Sequence, residues 1–134
     1  MDYKHTALEM KDYVINTRRY LHEHPELSGK EENTVAFLDK ELTRFGIEHV
    51  IVPEGGILCF IRGKGEKTVL LRADIDALPV TENECNMGGK KKPVVSKVPG
   101  VAHMCGHDAH ATMLLLSLIH IYYDNEQLYC KYRK

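Results

Sequence analysis

The chain is predicted to adopt an α/β fold, and three observations carry that prediction. Two apolar stripes recur at helical spacing in the first third. The hydrophobic period then switches to alternation and short β-branched runs. A cluster of polar, metal-liganding side-chain types finally leads into another segment of helix-forming composition.

Met10, Val14, Thr17 and Leu21 recur at the spacing of a first helix, which Pro25 stops. Val35, Leu38, Leu42 and Phe45 form a cleaner stripe, and Gly46 stands where a helix C-cap belongs, so a second helix is predicted near 30–45. Ile47, His49 and Ile51 then alternate as a strand would. Gly55-Gly56 interrupts the chain, and Ile57 to Ile61 is a short apolar run containing Cys59. Gly63-Lys64-Gly65 reads as a turn into Thr68 to Leu71. These last two runs are predicted to pair as a hairpin whose second strand delivers Arg72, Asp74 and Asp76 at its C-terminal end. Strand ends and the loops beyond them are where α/β proteins place chemistry. Residues 80 to 102 read as a long loop, and Ala111 to Leu118 as the start of a helix.

At 134 residues the chain suits one domain, with 43% apolar and 28% charged residues, the balance of a soluble globular protein. Eighteen basic side chains against 19 acidic ones give a net charge of −1, so no field favours a polyanion. Lys90 to Lys92, followed by Pro93 among glycines, reads as a solvated loop, and neither nucleic acid nor membrane is expected as a partner. Met1 to Lys11 is charged and lacks the apolar stretch of a secretory leader, and Met113 to Leu116 is far too short to span a bilayer. A cytoplasmic location is therefore expected. The thiols of Cys59, Cys85, Cys105 and Cys130 then read as buried groups or metal ligands rather than disulfides.

His103 to His110 is the densest chemical signal. It places three histidines, one cysteine and one aspartate within eight residues. Thiolate, imidazole and carboxylate bind zinc, manganese, nickel or cobalt. Cys105 and His107 are two apart, so an extended loop can turn both to one side, and Gly106 removes a Cβ between them. A buried thiol beside surface histidines is the competing reading. In Arg72-Ala73-Asp74-Ile75-Asp76-Ala77-Leu78-Pro79, alternation puts Asp74 and Asp76 on one face. Two carboxylates so close need a cation or proton between them, supplied by a metal or by Arg72. A strand-end turn with Asp76 as a cap is the alternative. His22-Glu23-His24-Pro25-Glu26 lacks the i, i+4 histidine pair of a zincin and reads as a helix terminus with solvated side chains.

Three motifs in order, His24-Pro-Glu-Leu-Ser28, Arg72-Ala-Asp-Ile-Asp-Ala-Leu-Pro79 and His103-Met-Cys-Gly-His-Asp-Ala-His110, resemble the aminoacylase, hippurate hydrolase and indoleacetyl-amino-acid hydrolase branch of the metallo-amidohydrolases and dizinc exopeptidases. The similarity runs from about Tyr13 to about Leu116. It implies part of a three-layer catalytic domain with a mixed central sheet between helices, the lid domain and C-terminal half being absent. It implies hydrolysis of the amide in an N-acyl amino acid or short peptide, with two divalent ions (Mn, Zn, Ni or Co) per complete site. Complete members of such a family also form homo-oligomers. Cys105 and His107 match metal ligands, His107 in the position that bridges two ions. Asp74 and Asp76 match the acidic pair, one of which orients a ligand or supports the catalytic base, and Asp74 is taken as that residue.

The general base of that family, a glutamate in a Glu-Glu pair, and its later histidine ligands have no counterparts here. Residues 1–116 are therefore read as the N-terminal part of the catalytic domain. Residues 117–134 are read as a divergent tail of the kind a frameshift or truncation leaves, and the chain as an incomplete, inactive piece. The competing function is a non-catalytic metal-binding or interaction module. An α/β domain cut short leaves a sheet edge unpaired and a core face exposed. The expected outcome is a chain that is poorly soluble or only partly folded, and a sharp cooperative thermal transition with monomeric elution would refute it.

Overall fold

The computed structural model describes residues 3–63 and 66–126. Along the chain lie α1 (Tyr3–Glu9), α2 (Lys11–Glu23), α3 (Glu32–Arg44), β1 (Glu48–Val52), β2 (Gly56–Phe60) and α4 (His107–Glu126). The α/β class expected from the hydrophobic periods is the one found, with α1 added before the first predicted helix. No helix among the described residues is long and apolar enough to cross a membrane.

The two sequence stripes become α2 and α3. Leu21 is buried on α2, and Leu38 and Leu42 on α3. α3 ends as its punctuation demands, with Gly46 at φ 71° accepting a left-handed turn that a side chain would resist. Its start is less ordinary. Glu31 at the N-cap makes no side-chain cap bond. The carboxylate of Glu26 does the capping from outside the helix, accepting the Thr34 amide at 2.7 Å and the Asn33 amide at 3.1 Å. Burial would push this carboxyl up, but the amides of Thr34 and Asn33 outweigh it and hold Glu26 below the usual range.

The hairpin is not the predicted one. β1 pairs antiparallel with β2, from Glu48 opposite Phe60 to Val52 opposite Gly56. The Gly55-Gly56 break is therefore its turn rather than a gap before it. Glu54 adopts φ 58°, and a Cβ on Gly55 would stand 2.9 Å from Val52 Cγ1, so the tight loop needs glycine there. Thr68 to Leu71 is not assigned to a strand, and Val69 and Leu70 are each 80% exposed. A β-branched run becomes a strand only when a neighbour takes its backbone hydrogen bonds, and none of the described residues does so. Of the expected mixed sheet, the described residues hold this antiparallel pair.

The core joins helix to helix above the hairpin. Leu38 and Leu42 of α3 meet Ile47 and, from α4, Leu115 and Ile119, with Phe37, Ile57 and Ile75 packed around them. α4 packs on α2, and α3 packs on both strands. Each fully buried aliphatic side chain contributes about 1.5–3 kcal/mol. α4 passes through 116 and 117 without a break, and Ile119 is 2% exposed within this core. Residues 127–134 of the sequence-derived tail lie outside the described residues.

The long loop from 80 to 102 has more order than its composition suggests. Leu78 and Ala102 exchange two backbone hydrogen bonds of 3.0 Å across its base. Cys85 bridges to Lys91, and the Lys97 amide donates to the Glu23 carbonyl at 2.9 Å. Glu26→Gln should weaken the α3 cap and cost about 1 kcal/mol, read as a lower urea midpoint. Because the folded Glu26 is depressed, its contribution is complete above the unfolded value near 4.3 and is lost as pH falls through the folded one. The variant should therefore lose less stability on acidification than the parent chain does.

Candidate metal centre

The cysteine–histidine motif occupies the approach to α4. Gly106 at φ 85° turns the chain, and its carbonyl accepts the amides of Ala109 and His110 at 3.1 and 3.0 Å. The first helical turn thus begins at His107, while Cys105 stays on the preceding bend with an exposed side chain. The segment from Arg72 to Pro79 runs beside this turn.

Of the four residues singled out from sequence, the structure brings two into direct contact. His107 Nδ1 lies 2.9 Å from Asp76 Oδ1 and 3.0 Å from the Asp76 carbonyl oxygen, both acceptors. Both partners are acceptors, so in the neutral ring the proton sits on Nδ1 and Nε2 is the nitrogen that can bind a cation. A carboxylate behind a histidine in this way fixes the ring and raises its basicity as a ligand. The contact falls to Asp76 and not to Asp74, the residue favoured from sequence. Asp74 instead pairs with the Arg72 guanidinium, and its backbone amide donates to His110 Nδ1 at 3.2 Å. Arg72 thus answers one carboxylate of the acidic pair and His107 the other.

Cys105 and His107 have the donor chemistry of a divalent-metal site, and His107 is already held for the task. Among the described residues, however, no group of three or more His, Cys, Asp and Glu side chains converges to hold an ion.

Sequence reasoning missed what stands behind the motif. His22, expected to be solvated, is 5% exposed, and Asp108 is 1% exposed. His22 Nδ1 lies 2.8 Å from Asp108 Oδ2, and His22 Nε2 lies 3.1 Å from both oxygens of Glu82. Arg18 Nε donates to the same Asp108 oxygen at 2.7 Å. Glu82 is completed by Lys92 Nζ at 3.0 Å and the Ser96 amide at 2.7 Å. Burial would raise the Glu82 carboxyl, but these donors prevail and hold it below the ordinary range. His103 is buried beside this group, with neither ring nitrogen hydrogen-bonded among the described residues, and burial holds its pKa down. The density of titratable residues from His22 to Glu26, and the placing of Asp108 next to His107, were the available signals.

With the geometry in place, similarity to known proteins is informative. Residues 70–128 match the model of peptidase family M20/M25/M40. The chain is 46% identical over 118 residues to thermostable carboxypeptidase 1 of Saccharolobus solfataricus, covering 84% of this chain and 28% of that protein. It is 44% identical over 111 residues to a putative glutamate–cysteine ligase 2-3 of Rhodococcus jostii, covering 82% of this chain and 13% of that protein. Among solved structures, the Bacillus subtilis YXEP protein, described as a dinuclear metal binding peptidase from the M20 family, superimposes with a TM-score of 0.75 at 38% identity, over 85% of this chain and 31% of that one. A putative aminohydrolase from methicillin-resistant Staphylococcus aureus gives 0.78 at 34% identity, over 91% and 32%. The fold and these likenesses define part of an M20-type α/β catalytic domain. The chain belongs to the M20 peptidase family. It spans under a third of the length of these relatives.

Asp76→Asn should weaken the hold on the His107 ring, which keeps the backbone carbonyl and a neutral amide oxygen as acceptors, whereas Asp74→Asn should leave it unchanged. Imidazole NMR reads this as faster exchange of the Nδ1 proton in the first variant only.

Proposed function

We propose that this chain supplies part of the metal site of a metal-dependent hydrolase that cleaves the amide of N-acyl amino acids or short peptides. The single observation that supports this most directly is the Asp76–His107 pair at 2.9 Å, which orients the imidazole two residues along the chain from the exposed Cys105 thiol. The family relationship, and the dinuclear metal binding named for the Bacillus protein, point the same way.

In this reading Cys105 and His107 hold the metal, with Asp76 behind His107 as its orienting carboxylate. Bound divalent metal would supply Lewis acidity and a water acidic enough to ionise near neutral pH. The chain's own residues do the rest of what is described here. Asp76 keeps the Nδ1 proton in place, Arg72 keeps Asp74 paired, and the Asp74 amide engages His110. No described side chain is assigned as general base. The N-acyl amino acid substrate class rests on the likeness of the three motifs to the aminoacylase and hippurate hydrolase branch. A cytoplasmic location is part of the same proposal, in keeping with a thiol ligand that must remain reduced.

Cobalt(II) is the probe of choice, because a thiolate bound to it gives a near-ultraviolet charge-transfer band. Titration of the chain should develop that band, and Cys105→Ser should abolish it and weaken binding. No cobalt binding above background, with the serine variant indistinguishable, would remove Cys105 from the ligand set.

A further inference from the structure

The buried group behind the motif links three segments distant in sequence. Arg18 and His22 lie one turn apart on α2, Glu82 comes from the loop after Pro79, and Asp108 sits in the first turn of α4. The Asp108 side chain has no exposed surface, and those of His22 and Glu82 are 6% and 4% exposed. A carboxylate buried at that depth is tolerable only where donors meet it, and Arg18 and His22 both meet Oδ2. Arg18 Nη2 also lies 3.1 Å from His22 Nδ1, a close approach of two donors that meet at the same carboxylate oxygen rather than a bond between them.

Asp108 is the immediate neighbour of His107. Its carboxylate fixes the azimuth of the first turn of α4 against α2, and that azimuth sets where the His107 side chain leaves the helix. The Asp76 carboxylate then fixes the ring itself. His107 is thus constrained twice, at the ring by Asp76 and at the backbone by the Asp108 anchor. Mere cross-linking of α2 to α4 would be supplied by their apolar contacts, without placing an ion cluster beside a ligand.

We infer that His22, clamped between Asp108 and Glu82 with Arg18, is a positioning residue for His107, setting the direction from which that imidazole meets its metal. The inference rests on the metal-centre reading above, but its test needs no metal. The readout is the exchange rate of the His107 Nδ1 proton in the full chain, followed by imidazole NMR. His22→Leu should speed that exchange measurably relative to the parent chain. Leu38→Ala, a core truncation remote from the clamp, serves as a control for general loosening and should leave the exchange unchanged at a matched fall in melting temperature.

Equal effects of the two variants, or none from His22→Leu, would overturn the proposal, as would a ring proton already free in the parent chain. Should His22→Leu fail to fold, Arg18→Gln carries the same comparison, since that side chain is 41% exposed and its loss leaves His22 and Glu82 in place. The cobalt titration of the parent chain separately decides the metal-centre reading. A chain that binds cobalt yet shows no response at His107 would sink the positioning role alone.

Discussion

The Asp108 carboxylate, buried at the first turn of α4, is the constraint on which the arrangement depends. Removing a charge from water costs several kcal/mol unless partners replace the lost hydration. The chain replaces it at Oδ2 by bringing Arg18 and His22 up from α2, while Oδ1 stays buried with no hydrogen-bond partner among the described residues. That requirement fixes how α2 and α4 lie against each other, and His22 in turn recruits Glu82 and with it the base of the long loop. A negative group in the first turn also suits the positive end of the helix. Polar pairing and helix packing are therefore solved together, and the metal-ligand motif is carried on the element so fixed.

The segment around Pro25 shows how a short stretch can serve several partners. His22 faces the buried carboxylates, while Glu23 takes Lys97 through its side chain and its carbonyl. His24 stacks on Tyr20. Glu26 caps α3 by side chain, and its carbonyl accepts the Ala77 amide at 2.7 Å. Pro25 ends the helix at a point from which each neighbour reaches a different element. The result connects α2, α3, the Arg72–Pro79 segment and the loop without an extensive sheet.

Much of this was legible in the residues, and what was not has a physical reason. The stripes of Leu21 and of Leu38 and Leu42 announced α2 and α3, since helical period and burial agree there. Gly46 announced the end of α3. The hairpin was misjudged because Gly55-Gly56 and Gly63-Lys64-Gly65 are equally good turns on paper, and only pairing with Glu48–Val52 decides between them. The metal motif was visible through its density of donor types. The choice between Asp74 and Asp76 was not, because alternation puts both on one face and the decision lies in how α4 approaches. His22 looked solvated because its partners, Glu82 and Asp108, lie 60 and 86 residues away.

The two cysteines on either side of the acidic segment differ in a way that matters for handling the molecule. Cys59 is half-buried in β2, and burial pushes its thiol up, which keeps it in the inert protonated form. Cys105 is exposed on the bend before α4. Oxidants and alkylating reagents therefore reach Cys105 more readily than Cys59, and a sulfenic or sulfinic acid at Cys105 would no longer offer the thiolate. A molecule exposed to air would lose its soft ligand while keeping its fold, so the state in which Cys105 can serve a metal is the reduced one.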